Sequence, residues 1–472
     1  MLTNGNWGQF KLLHGKRGVL CERAGKRIRA HVGPVGEHLR ADVDTASYAN
    51  VRRFIQSGEA VPQGAVRLEE MVNYFPYEYP HPAPGKPFAV SMETAECPWR
   101  QGDRLLKISL RTRDVAPAAR PAANLVFLVD VSGSMDEKNK LPLVKKGLEI
   151  LTDGLRPQDR IAMVTYAGAS GLVLPATGGD RASAILQAIR NLDAGGSTNG
   201  GQGIELAYRT AAENFIKGGV NRVILATDGD FNVGKTDEKA LERLITTKAK
   251  SGIFLSVLGF GMGNLKDSRL EMLANKGNGN YAYIDSKEEA EKVLVADASG
   301  RLLTVAKDVK LQLKWNPSAA KRYRLLGYEN RVMENADFSS DRKDSGDLGA
   351  GQRVTVLYQY EPAAPSGNLT ALHIRHKLPE AAQSTMATFF CSAGGAQTFA
   401  GAGEDFRFAA AVTAFGLALR GSPYAGAVTQ ESIIHWAGGA LGHDSAGHRK
   451  EFMGLVKKAK FPRGAVKMVS AE

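Results

Sequence analysis

Cysteine is scarce in this chain: three in 472 residues (Cys21, Cys97 and Cys391), and far apart. An odd, scattered set excludes a disulfide framework and a cysteine-rich zinc site. No uninterrupted apolar run reaches the roughly 18 residues that a membrane-spanning helix requires, so none is expected. Glycine and proline, 52 and 19, are too few for a collagen-like or low-complexity chain. The start of the chain also lacks the apolar stretch of roughly 7–15 residues that marks a signal peptide. The net charge is +12, but residues 1–40 alone hold eight Lys/Arg against Glu22 and Glu37. A basic tail on a nearly balanced body, with no basic stripe on a periodic element, argues against nucleic acid as the partner. Residues 1–40 are expected to be a disordered extension, and the sequence as given defaults to the cytoplasm.

Beyond the tail, 41–87 reads as a helical segment, with "DVDTASYANVRRFI" and "VRLEEMVNYF" followed by a Pro- and aromatic-rich linker. Strand-like stretches follow within 88–121. From 122 to 299 continuous apolar strands ("NLVFLVD", "RIAMVTYA", "RVILATD", "IFLSVLGFG", "YAYID") alternate with amphipathic helices. A mostly parallel sheet covered on both faces requires that pattern, so this is a doubly wound α/β domain. Residues 300–400 turn all-β, and 401–472 are helical again. Two strands at 88–113 make no stable sheet alone. They are expected to join those after 303, so that the α/β domain is inserted into, or flanked by, a β-sandwich-like domain. Cys97 and Cys391 are then expected to be buried free thiols, with an oxidised pair as the alternative.

At the end of the first α/β strand stands "VDVSGSMD", which spaces Asp130, Ser132 and Ser134 two apart. Ligands in open α/β sheets bind beyond the carboxyl ends of the strands. A carboxylate with two hydroxyls is an oxygen-only set, suited to Mg²⁺, with Mn²⁺ or Ca²⁺ as alternatives. "GGSTNGG" offers Thr198 from a loop between helices, and "ATDGD" places Asp228 at the end of the next long strand. On these three parts, in this order, the segment resembles a von Willebrand factor A domain with its metal-ion-dependent adhesion site. The resemblance implies that Ser132, Ser134 and Thr198 contact the metal directly or through water, and that Asp130 and Asp228 hold it largely through water. It also implies an Asp or Glu carboxylate of a protein partner completing the coordination. Mostly neutral direct ligands leave the cation under-neutralised and favour such a guest. Asp136 and Asp230 read as solvated turn acids.

"YRLLGYENR", "GFGMGNLKDSRLEMLANKGNGNYAYID" and "FRFAAAVTAFGLALRGS" extend the resemblance to a bacterial subgroup with dedicated segments before and after the A domain, over about residues 42–460. Such proteins usually carry an export or lipoprotein signal, which implies the cell envelope and leaves 1–40 at odds with the pattern. The resulting expectation is a non-enzymatic, metal-dependent protein-binding module.

The alternative is a metal-assisted enzyme. "GDFNVGKT" (229–236) has the spacing of a phosphate loop between a strand and a helix. Asp228 and Asp230 would put negative charge at its mouth, Phe231 is bulky where an anion cradle needs small residues, and "IFLSVLGFG" does not end in an acid. His373 and His376, three apart on a strand, face opposite sides.

Overall fold

In the computed structural model the chain crosses one β-sandwich twice, before and after the α/β insertion. The structure describes residues 29–30, 37–41, 44–167, 170–196, 200–229, 238–261, 267–296, 303–329, 332–333, 338, 345–363, 367–381 and 383–462. First come β1 (Arg29–Ala30), β2 (Glu37–Arg40), α1 (Ala46–Gln56), α2 (Leu68–Asn73), β3 (Phe88–Glu96) and β4 (Arg104–Thr112). The insertion begins with β5 (Ala123–Asp130), α3 (Leu141–Asp153), β6 (Arg160–Tyr166), β7 (Ser170–Gly178), α4 (Ala182–Arg190) and α5 (Gly200–Glu213). It continues with β8 (Val220–Thr227), α6 (Glu238–Lys250), β9 (Phe254–Phe260), α7 (Asp267–Lys276), β10 (Tyr281–Ile284) and α8 (Lys287–Ala296). The return strands are β11 (Thr304–Trp315), β12 (Ala320–Leu326), β13 (Val332–Met333), β14 (Leu348–Gly349), β15 (Arg353–Pro362), β16 (Asn368–Lys377) and β17 (Thr385–Ser392). Helices α9 (Glu404–Leu419), α10 (Gln430–Gly438) and α11 (His448–Lys458) follow.

One sandwich sheet runs β1-β12-β15-β4-β3 and the other β13-β2-β11-β16-β17. Strand β4 pairs antiparallel with β15, Leu110 opposite Val354 and Ile108 opposite Val356, so strands from both sides of the insertion share a sheet. Their inner faces bury Leu106, Ile108 and Leu110 with Leu311, Leu313, Leu372 and Ile374, and Trp315 stacks on Tyr323 at 4.7 Å between centroids. Cys391 belongs to this core, whereas Cys97 belongs to the helical one, and both thiols are free. His376 is buried against Phe88, while His373 faces the other way, toward Thr388.

The disorder expected over 1–40 does not hold for Arg29–Ala30 and Glu37–Arg40, which are strands. Glu37–Arg40 forms β2, which hydrogen-bonds to the edge of β11 with Leu39 opposite Leu311, and buries Leu39 and Ala41 in the sandwich core. Four residues are too few for their alternation to stand out in a basic context.

The inserted sheet has the order β10-β9-β8-β5-β6-β7, parallel throughout except for β7. Alternate residues of β5 explain its unbroken apolar run: Leu125, Phe127 and Val129 pack with α3 and α8, and Val126 and Leu128 with α5. Strand β7 is not anticipated by the sequence reading. Its alternation is broken by Pro175, tolerated because β7 is an edge strand.

Helix α9 runs buried through a third core with α1, α2 and the linker aromatics. Phe75 sits edge-on to Phe408 and Phe452. At Gly416 a Cβ would lie 2.3 Å from Leu68, so α2 approaches α9 as closely as a glycine allows.

Buried arginines join these units. Arg52 on α1, with its side chain 6% exposed, donates to Asp285 (2.5 and 2.7 Å), Glu289 (2.8 Å), Glu451 (3.2 Å) and the Tyr74 hydroxyl (3.0 Å). Arg67 binds Glu70 at 2.5 Å and Asp267 of α7. Arg449 on α11 holds Asp405 of α9 and the Pro76 carbonyl. Burial raises the Asp285 carboxyl above its ordinary range, Arg52 pulls it back and Glu289 pushes it up.

Replacing Arg52 with Met leaves three carboxylates around an uncharged stem and is expected to cost about 3–5 kcal/mol in urea unfolding at neutral pH. A carboxyl whose folded pKa is raised destabilises the fold while ionised. The deficit should therefore shrink as pH falls toward about 5 and the orphaned acids take up protons. A deficit independent of pH would contradict this account.

Candidate metal centre

Neighbouring parallel strands deliver the site. Strand β5 ends at Asp130 and β8 at Thr227, with Val129 opposite Ala226, so Asp130 and Asp228 emerge side by side at the carboxyl rim. The chain then turns sharply. The Ser132 amide donates to Asp130 Oδ1 at 2.9 Å, and a single 3₁₀ turn follows over Gly133–Asp136. Ser132 is 2% exposed, whereas Gly133, Ser134 and Asp136 are open to solvent.

The loop that carries Thr198 is tied to this turn. The Gly133 amide donates to the Gly196 carbonyl (3.1 Å), and the Gly195 amide to the Val131 carbonyl (2.7 Å). Thr198 itself, Asp230 and residues 230–236 of the phosphate-loop spacing lie outside the described residues.

Asp130 is fully buried and held by the protein. Its Oδ2 accepts from the Tyr166 hydroxyl (2.9 Å) and from Thr227 Oγ1 (3.3 Å). Burial raises its carboxyl above the ordinary range, and Asp228 adds to the rise against the hydrogen bonds from Ser132 and Tyr166. A carboxylate so engaged is suited to hold an ion through water rather than directly.

The hydroxyls of Ser132 and Ser134 lie 3.1 Å apart. Two neighbouring ligands on an octahedral Mg²⁺, each at about 2.1 Å, are separated by about 3.0 Å, so the pair fits adjacent corners of such a shell. This spacing, two carboxylates and exposure on one side are the fit between the residues and a divalent ion.

Three residues of the site escape the sequence reading. Tyr166 is opposite Asp130 in register and looks like any strand-end aromatic, and Thr227 looks like an ordinary strand residue. The third is Lys140, whose ammonium donates to the Ser134 carbonyl (2.8 Å), Glu137 (2.8 Å) and Asp228 Oδ2 (3.3 Å). Burial opposes its charge, but Glu137 and Asp228 outweigh burial and raise its pKa. Lys140 occupies the N-cap of α3, where the helix dipole disfavours a cation, and that is its one sequence signal.

A separate trio, Asp44, Glu70 and Glu271, has oxygens within 4.8 Å of one another and is buried. Arg67 lies against two of them, and the amides of Ser47 and Tyr281 donate to Glu70 and Asp44.

Comparison with known proteins agrees with this architecture. The von Willebrand factor type A domain family matches residues 124–296, a von Willebrand factor family matches 33–107, and the family of the C-terminal region of YfbK matches 300–366 and 360–461. The "Uncharacterized protein YfbK" of Escherichia coli (strain K12) is 43% identical over 446 residues, covering 89% of this chain and 77% of its own length. A Synechocystis protein, "Uncharacterized protein sll0103", is 29% identical over 187 residues, 40% of this chain and 43% of its own. The solved structure of a von Willebrand factor type A protein from Catenulispora acidiphila aligns with a TM-score of 0.44 at 16% identity, over 80% of this chain and 94% of that one.

The buried charge at Asp130 generates a test with two readings. Without divalent ions, Asp130→Asn should match or exceed the wild type in melting temperature, because the variant buries one carboxylate fewer beside Asp228. With Mg²⁺ at about 100 times its dissociation constant the wild type should gain about 2.7 kcal/mol, and the variant little. Equal Mg²⁺ stabilisation of both proteins in calorimetric melts would remove Asp130 from the site.

Proposed function

This chain belongs to the bacterial von Willebrand factor type A domain proteins with dedicated flanking segments, and from that premise we propose that it is a non-catalytic, divalent-metal-dependent protein-binding module. The observation that carries the reading is the pair of Ser132 and Ser134 hydroxyls, converging beside two carboxylates that the protein itself holds in place. Ser132, Ser134 and Thr198 would hold Mg²⁺, or Mn²⁺ or Ca²⁺, directly or through water, with Asp130 and Asp228 behind them. A bound ion supplies positive charge that neutral hydroxyls do not cancel. An Asp or Glu side chain of a protein partner is the guest that this charge favours.

The protein's part is to keep Asp130 fixed through Ser132, Tyr166 and Thr227, and to leave the Ser134 side open to solvent. Adhesion or scaffolding at the cell envelope is the setting that the family resemblance suggests.

The test is capture of native-cell proteins on the immobilised full chain, in Mg²⁺ and in chelator, with a Ser132→Ala/Ser134→Ala variant in parallel. The expected result is a partner retained by wild type in Mg²⁺ and reduced at least tenfold by chelator or by the double variant. The same partners retained under all three conditions would contradict a metal-dependent module.

A further inference from the structure

Lys140 reaches the site along a path that the fold keeps clear. Its side chain crosses Gly261, the residue after β9, which has φ +77° and where a Cβ would stand 2.4–3.0 Å from the Cε, Cγ and Cδ of Lys140. A side chain at 261 would be both strained and in collision, so the glycine leaves a channel for this lysine. The residue is 5% exposed, and its ammonium meets three oxygens of different origin: the Ser134 carbonyl, Glu137 and Asp228. Glu137 is 60% exposed and screened by water, whereas Asp228 is 5% exposed, so the lysine's charge acts chiefly on the buried side.

Charge bookkeeping then separates two designs. Asp130 and Asp228 bring two negative charges, and a divalent ion would cancel them and leave the loaded site neutral. With Lys140 in place the buried groups of the loaded site keep one net positive charge, which the exposed Glu137 offsets only through water. That charge repels the metal ion and attracts an arriving carboxylate.

We propose that Lys140 is a positioning residue that sets the charge of the loaded centre, weakening its hold on the divalent ion while strengthening its hold on an acidic guest. The proposal rests on the metal-dependent reading above and adds the guest's selection to it. A lysine that only braced α3 against the turn would, when removed, loosen the site for metal and guest alike. A charge-setting lysine moves the two affinities in opposite directions.

The experiment uses the full-length wild type, Lys140→Met, which keeps the stem and removes the charge, and Lys140→Arg, which restores it. Mg²⁺ alone is titrated by calorimetry. Acetate is then titrated onto each Mn²⁺-loaded protein, with broadening of its methyl proton resonance as the readout of carboxylate binding at the ion. Lys140→Met should bind Mg²⁺ roughly tenfold more tightly and acetate several-fold more weakly, as expected for one unit charge removed beside the Asp228 carboxylate. Lys140→Arg should return both toward wild type. Weaker or unchanged Mg²⁺ binding by Lys140→Met, with wild type binding normally, overturns this proposal and leaves the metal reading standing. A wild type that binds neither Mg²⁺ nor Mn²⁺ overturns both. Should Lys140→Met fail to fold, Lys140→Gln and Lys140→Arg decide the matter by the same opposed shifts.

Discussion

Two carboxylates buried next to each other set the terms for this molecule. Asp130 is fully buried and Asp228 nearly so, at the ends of adjacent parallel strands. Desolvation and the neighbouring Asp228 both oppose the ionisation of Asp130. The local structure reads as a set of answers to that cost: an amide from Ser132, hydroxyls from Tyr166 and Thr227, and an ammonium from Lys140. Each donor is supplied by a different piece of chain, from the turn, β6, β8 and the start of α3. The pair is therefore affordable only where these elements meet, at the carboxyl rim of a parallel sheet.

The described residues of the flanking segments dock away from that rim. Arg52 and Arg67 fasten α1 and α2 to Asp285, Glu289 and Asp267, at the β10, α7 and α8 side of the inserted domain. Ala46 and Ala49 of α1 share a core with the β8 and β9 side chains Val223 and Val257. Gly133, Ser134 and Asp136 stay exposed. The pairing of β4 with β15 holds together strands from the two sides of the insertion, so the inserted domain is anchored at both ends. A fixed base with an open rim is the combination that the proposed partner-binding role requires.

How much of this was legible in the sequence depended on whether a signal was local. Asp130, Ser132 and Ser134 share one turn, and Asp228 follows a long apolar strand, so residue type and position sufficed to place these four at one rim. The return of β3 and β4 to the later strands followed from the instability of two strands alone. Tyr166 and Thr227 gave no signal, because their role depends on cross-strand register, which a parallel sheet with long crossovers does not reveal. Strand β2 was hidden by its brevity and basic surroundings, and β7 by Pro175. Arg52 and Arg67 carry no local signal of burial; the docking of α1 and α2 onto the inserted domain buries them.

The Asp44, Glu70 and Glu271 trio shows why carboxylate density alone does not identify an ion site. It has three acids where the rim has two, and it is as deeply buried. Yet Arg67 stands among them, with Asp267 on its other side, so a cation is already built into the cluster. The Ser47 and Tyr281 amides occupy further lone pairs, and a metal ion would have to displace a guanidinium that also joins α2 to α7. At the rim the built-in cation sits to one side: Lys140 touches Asp228, while the Ser132 and Ser134 hydroxyls face each other at the spacing of adjacent metal ligands. A guanidinium at the centre closes a cluster of acids into structure, and under the proposed reading an ammonium at the margin leaves a position for an exchangeable ion.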